Sequence, residues 1–323
     1  MTSREDRSTG RPSDTRRILI TEFMDRAAVE RLMSRTHAVY APDLADHQSD
    51  LASMVGEVQA LIVRNRTEVT AELLDSAPEL LVVGRLGVGL DNIDQAACAD
   101  RGITVIPATG ANNLSVVEYV IGSALVLLRG AYQAKDQMLA GEWPRQACAG
   151  RELSGKTLGL VGLGAIARET AKRAMALGLH VCAHDPFIPA DDPVWRDVRS
   201  LDLDDLLKTA DVVSLHVPLN AETRHLIDAA SFSLMKSNAI LINAARGGVV
   251  DEAALADSLR AGRLGGAALD VFETEPLTAE AARAFDGLDN LILTPHIAGV
   301  TKESDVRVGN MIAERVLAAL DVT

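Results

Sequence analysis

Short apolar runs alternate with amphipathic stretches along this 323-residue chain, beginning at Ile18. In the first part, the runs ILITEF, ALIVRN, LLVVGRLG and ITVIPATG have the length of β-strands, with helical patterns between them. Runs that stay apolar instead of alternating are typical of parallel strands that are covered on both faces. This part of the chain therefore predicts a small parallel α/β unit.

A second alternation begins near Lys156 and is more regular. Its clearest helix lies between Asp251 and Gly262, which are residue types that favour a helix N-cap and a helix C-terminus. The strand-length runs are TLGLVGLG, HVCAHD, VVSLHVP, AILINAA, GAALDVF and LILTPHI. These six strands with intervening helices predict a complete doubly wound sheet of the Rossmann type.

The last long stretch, ESDVRVGNMIAERVLAAL, predicts a helix that does not connect two strands of the second unit. We therefore expect this helix to pack on the first unit. The predicted fold class is therefore α/β, with two doubly wound parallel-sheet domains. A Rossmann domain is inserted in a smaller, discontinuous, flavodoxin-like domain. We expect a disordered tail over residues 1–17, the smaller domain over 18–107 plus 297–323, and the Rossmann domain over 108–296.

Charge and composition argue against several classes of protein. The net charge is −13 and no basic stripe follows any predicted helix, so we expect neither nucleic acid nor an anionic membrane as a partner. The run from Val116 to Leu128 contains Glu118 and is too short to span a bilayer; it predicts a buried helix that two subunits could share. The first 17 residues carry five arginines and no apolar stretch, which argues against a secretory signal.

The cysteines and histidines predict no metal centre. Cys98, Cys148 and Cys182 are isolated in the sequence, so we do not expect a disulfide framework. Free cysteines are typical of a reducing compartment, so we expect a cytoplasmic location. The histidines show no metal-ligand spacing.

A glycine-rich turn predicts a dinucleotide site. Gly162, Gly164 and Ala167 form a G-x-G-x-x-A pattern between the strand TLGLV and a helix. In this pattern the first glycine allows a tight turn, the second lets the backbone approach a pyrophosphate, and the third position packs helix against strand. Asp185 ends the next strand, 21 residues after Gly164, where a carboxylate binds the ribose 2′-hydroxyl. Since no arginine follows Asp185 directly, we expect NAD and not NADP. The Rossmann domain over 108–296 is then the NAD-binding domain, and the smaller domain is the substrate domain.

Four residues near the C-terminus predict acid–base chemistry on an anionic substrate. Each follows or ends a predicted strand: Arg246, Asp270, Glu275 and His296. An imidazole can exchange a proton with a carbonyl or alcohol oxygen, and a guanidinium can bind a carboxylate bidentately. Taken singly, the histidine could be a packed residue, the arginine a surface residue and Asp270 a helix cap. Asp270 could also bind a nicotinamide carboxamide or tune the histidine.

The sequence around these residues and around the glycine-rich turn resembles that of the D-isomer-specific 2-hydroxyacid dehydrogenases, a family that includes phosphoglycerate dehydrogenases. The resemblance covers nearly everything from Ile18 to Leu320 and is carried by GRLGVGLDNID, GLVGLGAIA, SLHVPLNAETRHLI, LINAARGGVVDEAAL, GAALDVFETEP and LTPHIAG. It implies that Arg246 binds the substrate carboxylate and carbonyl. It also implies that Glu275 pairs with His296, the acid/base.

The resemblance implies further contacts. The backbone of the Gly87, Val88, Gly89 loop would bind the substrate carboxylate, and family members are usually dimers joined through the helix that starts near Ser115. Because the chain stops at its closing helix, we expect no regulation by serine through an added domain. The implied cofactor contacts are Ala165, Ile166, Asp185, His216, Val217, Pro218, Ala244, Asp270 and Gly299.

Three arginines indicate a second anionic group on the substrate. Arg64 and Arg66 lie two apart at the end of a strand and are expected to face the same way, and Arg85 begins the LGVG loop. Arginines that are solvated or paired with nearby acids are the alternative. The strings LIVRNRTEV, IPATGANNLSVVEY and AHDP resemble (S)-sulfolactate dehydrogenases, so sulfolactate and sulfopyruvate are favoured. Phosphoglycerate, or glyoxylate and hydroxypyruvate, are the alternatives.

Two other classes fit the same scaffold less well. A formate dehydrogenase has no alcohol proton to transfer, so it would not need the Glu275–His296 pair. A non-enzymatic NAD-sensing corepressor should carry added interaction segments, whereas this chain retains all the catalytic positions.

Overall fold

The computed structural model describes residues 16–132 and 134–322. The chain divides into two compact units, one extending to Asn112 and resuming at Val300, the other comprising Asn113–Gly299. The domain boundaries expected from the sequence, after residues 107 and 296, lie a few residues before the boundaries between these two units. Most of the expected tail lies outside the described residues, but its limit at 17 is wrong because Arg17 is the first residue of a strand.

The first unit contains a five-stranded parallel sheet with the order β2-β1-β3-β4-β5, which is the flavodoxin-like order. Its strands are β1 (Arg17–Ile20), β2 (His37–Tyr40), β3 (Ala60–Val63), β4 (Val82–Arg85) and β5 (Thr104–Pro107). Its helices are α1 (Arg26–Arg35), α2 (Gln48–Met54), α3 (Ala71–Asp75) and α4 (Gln95–Asp100). Apolar clusters cover both faces of the sheet, as unalternating strands require.

The second unit contains a seven-stranded parallel sheet with the order β12-β11-β10-β9-β6-β7-β8. Its strands are β6 (Thr157–Val161), β7 (His180–His184), β8 (Arg199–Ser200), β9 (Val212–Leu215), β10 (Ile240–Asn243), β11 (Gly266–Leu269) and β12 (Leu291–Leu293). Its helices are α5 (Asn113–Arg129), α6 (Lys135–Leu139), α7 (Ala165–Ala176), α8 (Leu203–Thr209), α9 (Ala229–Leu234), α10 (Glu252–Arg260) and α11 (Ala279–Ala282). The first six strands follow the Rossmann order, and β12 adds a seventh at the edge.

The final helix, α12 (Lys302–Ala319), returns to the first unit, as the sequence predicts. It packs against α1, β4 and β5 and buries Val308, Ile312 and Val316. The expected ends of α10 are also confirmed, because the Asp251 side chain accepts the Ala254 N–H and Gly262 has φ +64°.

Two strands were missing from the prediction. β2 is half exposed and lies at an edge, and β8 has only two residues, both exposed. Neither forms an apolar run, so neither produces the pattern of a buried strand. In the described part of the chain, none of the helices combines the length and apolar character needed to cross a membrane.

Candidate active site

The adjacent strands β6 and β9 mark the point at which the strand order of the second sheet reverses, the usual ligand site of such sheets. Gly162 follows β6 and has φ +86°, a conformation that favours glycine. A Cβ atom at Gly162 would lie 2.7 Å from the backbone oxygen of His216, which follows β9. The two strand ends are therefore so close that only glycine fits at the turn.

The N-terminus of α7 is suited to bind a pyrophosphate. Gly164 is the N-cap, and no side chain of the described residues caps this helix. The first N–H groups, including those of Ala165 and Ile166, are thus available to an anion that the helix dipole also favours. A Cβ atom at Gly164 would have nothing within 4 Å, so there is space beside the turn. Ala167 is fully buried, as expected where helix and sheet pack closely.

Asp185 lies directly after β7 and next to this turn. Its Oδ2 accepts the Leu163 N–H at 2.8 Å and its Oδ1 accepts the Phe187 N–H at 3.0 Å. These bonds hold the carboxylate in place, and each oxygen retains a lone pair for a hydroxyl donor. The turn, the helix end and the carboxylate together fit NAD, whose ribose presents a 2′-hydroxyl.

Further residues expected at the cofactor follow the neighbouring strands. The His216 ring lies 3.0 Å from the Ser214 hydroxyl, and burial lowers the pKa of His216 to about 4, so this ring is neutral at pH 7. Val217 and Pro218 continue from β9, and Ala244 directly follows β10. Because carboxyl ends of parallel strands share one edge of a sheet, these residues lie along one side of the unit.

The structure brings Glu275 and His296 together. The Nδ1 of His296 lies 2.7 Å from Oε2 of Glu275. Since a carboxylate only accepts, this contact places a proton on Nδ1, and Nε2 is then the ring nitrogen able to exchange a proton with another group. The other Glu275 oxygen accepts the Phe272 N–H at 3.0 Å.

Glu275 is held in its charged form. Partial burial alone would raise its pKa, but the hydrogen bonds from His296 and Phe272 lower the pKa of Glu275 below its ordinary value. The positive charge of Arg246 acts in the same direction. The carboxylate can therefore stabilise an imidazolium at neutral pH.

Asp270 organises the loop that carries the histidine. Its side chain is 1% exposed and its Oδ1 and Oδ2 accept the N–H groups of Ile297 and Ala298 at 2.8 and 2.7 Å. Its carbonyl oxygen accepts the His296 N–H at 2.8 Å. His296 has φ +55°, a left-handed conformation that costs a residue with a Cβ about 1–2 kcal/mol. Three successive N–H groups bound by one residue hold the backbone in that conformation.

Arg246 follows β10 at the same edge of the sheet and is half-buried. Asn243 holds the turn: its Nδ2 donates to the Arg246 carbonyl at 2.9 Å and its Oδ1 accepts the Ala245 N–H at 3.1 Å. Asn243 and Thr294 were not among the residues predicted for the site. The Thr294 hydroxyl donates to Asp270 at 2.6 Å. A polar residue at the end of an apolar strand is the signal that could have found Asn243.

The expected geometry of two arginines in the first unit is wrong. β3 ends at Val63, so Arg64 and Arg66 lie in a loop and not on one face of a strand. Arg64 pairs with Asp305 at 3.0 Å, whereas Arg66 pairs with Asp46.

Glu22, which was also not among the predicted site residues, supports this loop. It is 2% exposed and its carboxylate accepts the N–H groups of four successive residues, Arg64, Asn65, Arg66 and Thr67. Burial alone would raise the pKa of Glu22, but these backbone hydrogen bonds lower it.

The Gly87–Gly89 loop directly follows β4 and Leu86. The Arg85 guanidinium lies over Gly87, because a Cβ at Gly87 would be 1.4 Å from its Nη1. The Gly87 carbonyl accepts the Ala108 N–H at 2.8 Å, and Val88 and Gly89 are half-buried. Arg85 and the loop therefore form one local structure.

Within residues 16–132 and 134–322, no group of His, Cys, Asp and Glu side chains is arranged to hold a metal ion.

Comparisons with known proteins identify the family of this chain. Residues 121–298 match the family model described as "D-isomer specific 2-hydroxyacid dehydrogenase, NAD binding domain". The chain is 55% identical to the (S)-sulfolactate dehydrogenase of Chromohalobacter salexigens, over 94% of this chain and 98% of that one. It is 39% identical to the hydroxypyruvate reductase of Thermotoga maritima, over 95% and 99% of the two chains.

Other relatives are longer or more distant. The chain is 39% identical to the D-3-phosphoglycerate dehydrogenase of Methanocaldococcus jannaschii, over 94% of this chain but 57% of that one. The D-lactate dehydrogenase of Aquifex aeolicus, solved with NAD and lactic acid, matches with a TM-score of 0.82 and 29% identity, covering 94% of this chain and 95% of that one. The chain belongs to the D-isomer-specific 2-hydroxyacid dehydrogenase family and is an NAD-dependent oxidoreductase.

Proposed function

We propose that this enzyme interconverts (S)-3-sulfolactate and sulfopyruvate with NAD(H). The observation that carries the proposal is the His296–Glu275 pair at 2.7 Å, with the Arg246 charge acting on the same carboxylate. This arrangement suits a 2-keto acid, which presents a carbonyl to protonate beside a carboxylate to bind. The choice of sulfonate is supported by the 55% identity to an (S)-sulfolactate dehydrogenase over nearly the whole length of both chains.

The cofactor is assigned to the edge of the second sheet. Gly162, Gly164, Ala165 and Ile166 would hold the pyrophosphate, and Asp185 the adenosine ribose. NADH, when bound there, supplies the hydride for the carbonyl carbon. The remaining contacts are assigned to His216, Val217, Pro218, Ala244, Asp270 and Gly299.

The catalytic roles follow from charge and hydrogen bonding. Arg246 binds the substrate carboxylate bidentately and polarises the neighbouring carbonyl. His296 donates a proton from Nε2 to the developing alkoxide, or removes it in the reverse direction. Glu275, already charged and bonded to Nδ1, stabilises the imidazolium and keeps the ring oriented.

The rest of the substrate is assigned to loops of the first unit. The N–H groups of Gly87, Val88 and Gly89 would bind the carboxylate, and Arg64, Arg66 and Arg85 the second anionic group.

Charge favours a sulfonate at these arginines over a phosphate. A sulfonate carries one negative charge, whereas a phosphate ester carries about −1.5 to −2 at pH 7. Because Arg64 and Arg66 already pair with Asp305 and Asp46, their loop suits a monoanion better than a dianion. Phosphoglycerate, or the uncharged tails of hydroxypyruvate and glyoxylate, are the competing substrates.

We also propose that the enzyme is a homodimer in the cytoplasm. Tyr132, Leu139 and Trp143 follow α5 closely and are 71%, 77% and 77% exposed, which is unusual for such apolar side chains unless another chain covers them. The three free cysteines, Cys98, Cys148 and Cys182, suit a reducing compartment.

Replacing the histidine tests the acid–base role. His296→Ala should lower kcat by about 10²–10⁴-fold, the usual contribution of a general acid, while the NADH affinity stays near that of the wild type. Steady-state kinetics and NADH fluorescence titration measure the two effects. The control is His37→Ala, at an exposed position of the first unit, which should leave kcat and the affinity for NADH unchanged. A loss in kcat of only a few fold would contradict the assigned role.

A panel of keto acids tests the substrate. The value of kcat/KM should be highest for sulfopyruvate, ahead of phosphohydroxypyruvate, hydroxypyruvate and glyoxylate. Arg64→Gln and Arg66→Gln should reduce the preference for sulfopyruvate over glyoxylate by about tenfold, since a charge-assisted hydrogen bond contributes about 1.5–3 kcal/mol. Arg26→Gln, at an exposed site, is the control. A preference for phosphohydroxypyruvate would show that the second anionic group is a phosphate and not a sulfonate. Equal rates on all four keto acids would contradict the proposal that the substrate carries a second anionic group.

A single methyl group tests the cofactor turn. Gly164→Ala should lower Tm by no more than a few degrees, because its Cβ has open space around it and the one cost is that of alanine at a helix N-cap. It should raise the Kd for NADH by about tenfold or more, since the methyl would occupy the space through which the backbone approaches the pyrophosphate. Gly56→Ala, where a methyl also finds room, is the control. An unchanged Kd would remove Gly164 from the cofactor site.

Sedimentation velocity tests the assembly. The wild-type enzyme should sediment with twice the 34.4 kDa mass of one chain. Leu139→Glu should shift it towards the monomer, because a charge at a buried contact is costly. Leu81→Glu, at an exposed apolar position of the first unit, should not. A wild-type monomer at micromolar concentration would refute the dimer.

A further inference from the structure

Two hydroxyl groups of the second unit, those of Tyr119 and Thr294, form a continuous hydrogen-bonded chain that ends at Asp270. Tyr119 lies on α5. The Tyr119 hydroxyl lies 2.7 Å from the Thr294 hydroxyl, and the latter donates to Asp270 at 2.6 Å. Helix α5 is thereby connected to the loop that follows β12 and carries His296.

Chemistry determines the direction of this chain. A carboxylate only accepts, so Thr294 uses its one proton on Asp270 and must accept from Tyr119. Burial and the negative charge of Asp270 raise the pKa of Tyr119 above its ordinary value, so this hydroxyl remains a donor. Donors aligned in one direction polarise one another and strengthen each bond.

The end of the chain acts on the backbone of the catalytic histidine. Oδ1 of Asp270 is shared between the Thr294 hydroxyl and the Ile297 N–H, which lie on either side of His296. The Thr294 N–H also donates to the Leu269 oxygen at 3.0 Å. Thr294 is therefore bound through both its backbone and its side chain, and its side-chain bond orients the carboxylate that holds the next residues.

We infer that Tyr119 is a positioning residue for His296, acting through Thr294 and Asp270 to hold the left-handed loop in which the histidine lies. The inference rests on the proposed acid–base role of His296. Its physical basis is that a non-glycine residue at φ +55° keeps that conformation only while its hydrogen-bond partners are themselves fixed. Tyr119 does not contact the substrate in this scheme, and its effect is on the precision of the loop.

Conservative variants separate this role from simple packing. Tyr119→Phe keeps the ring and removes only the hydroxyl, and Thr294→Val removes the next hydroxyl with little change of shape. Each should lower kcat about fivefold, the effect of a single hydrogen bond, with the KM for NADH within about twofold of wild type. The double variant should be no slower than Thr294→Val alone, because both changes break one chain. Thr294→Ser, which keeps the hydroxyl, should restore kcat.

The matched control is Tyr40→Phe, which removes the same hydroxyl from a half-buried residue at the end of β2 in the first unit. It should leave kcat unchanged. Wild-type kcat in Tyr119→Phe, or additive losses in the double variant, would overturn the inference.

Amide hydrogen exchange gives a second readout that does not depend on turnover. Peptides covering residues 294–299 should exchange faster in Tyr119→Phe and Thr294→Val than in the wild type and in Tyr40→Phe. Unchanged exchange in this segment would overturn the inference. If the wild-type enzyme reduces none of the four keto acids while exchange responds as expected, the proposed function fails and the structural role of Tyr119 stands.

Discussion

The interaction on which the candidate site most depends is the binding of the loop after β12 by Asp270. One buried residue accepts the N–H groups of His296, Ile297 and Ala298 together with the Thr294 hydroxyl. A buried carboxylate without partners would be costly, and a left-handed histidine without partners would relax. Each group therefore stabilises the other, and the result is an imidazole held against Glu275 with one nitrogen left for chemistry.

The parallel sheet determines where such an interaction can form. All strands of the second sheet run in one direction, so the residues that follow them collect at one edge. Gly162, Asp185, His216, Arg246 and Asp270 come from five different strand ends and are far apart in sequence. The same arrangement brings a helix N-terminus to that edge, which is why an anionic cofactor and a carboxylate substrate suit a protein whose net charge is −13. Local hydrogen bonds and dipoles, not the overall charge, decide what is bound.

Much of the fold and of the candidate site could be predicted from the pattern of the chain. Strands such as TLGLV and AILIN are buried on both faces, so their apolar runs are unmistakable, and the fingerprint glycines and strand-end charges stand beside them. The strands β2 and β8 could not be predicted, because edge strands with exposed residues need no apolar run. Glu22 and Thr294 were likewise invisible, since a carboxylate or a hydroxyl in a short loop gives no periodic signal and its role depends on which N–H groups the fold brings to it.

The sequence by itself determined the alternation of strands and helices, the family, the cofactor class and the identity of the residues able to do acid–base chemistry. These follow from local spacing, because burial in a parallel sheet and a tight turn before a helix each demand particular residue types at particular positions. Only the tertiary structure decided that Glu275 bonds Nδ1 of His296, that Asp270 holds the loop and that Arg64 and Arg66 pair with different carboxylates. Such contacts join residues distant in the chain, and hydrogen bonds depend on distances and angles that spacing along a sequence does not contain.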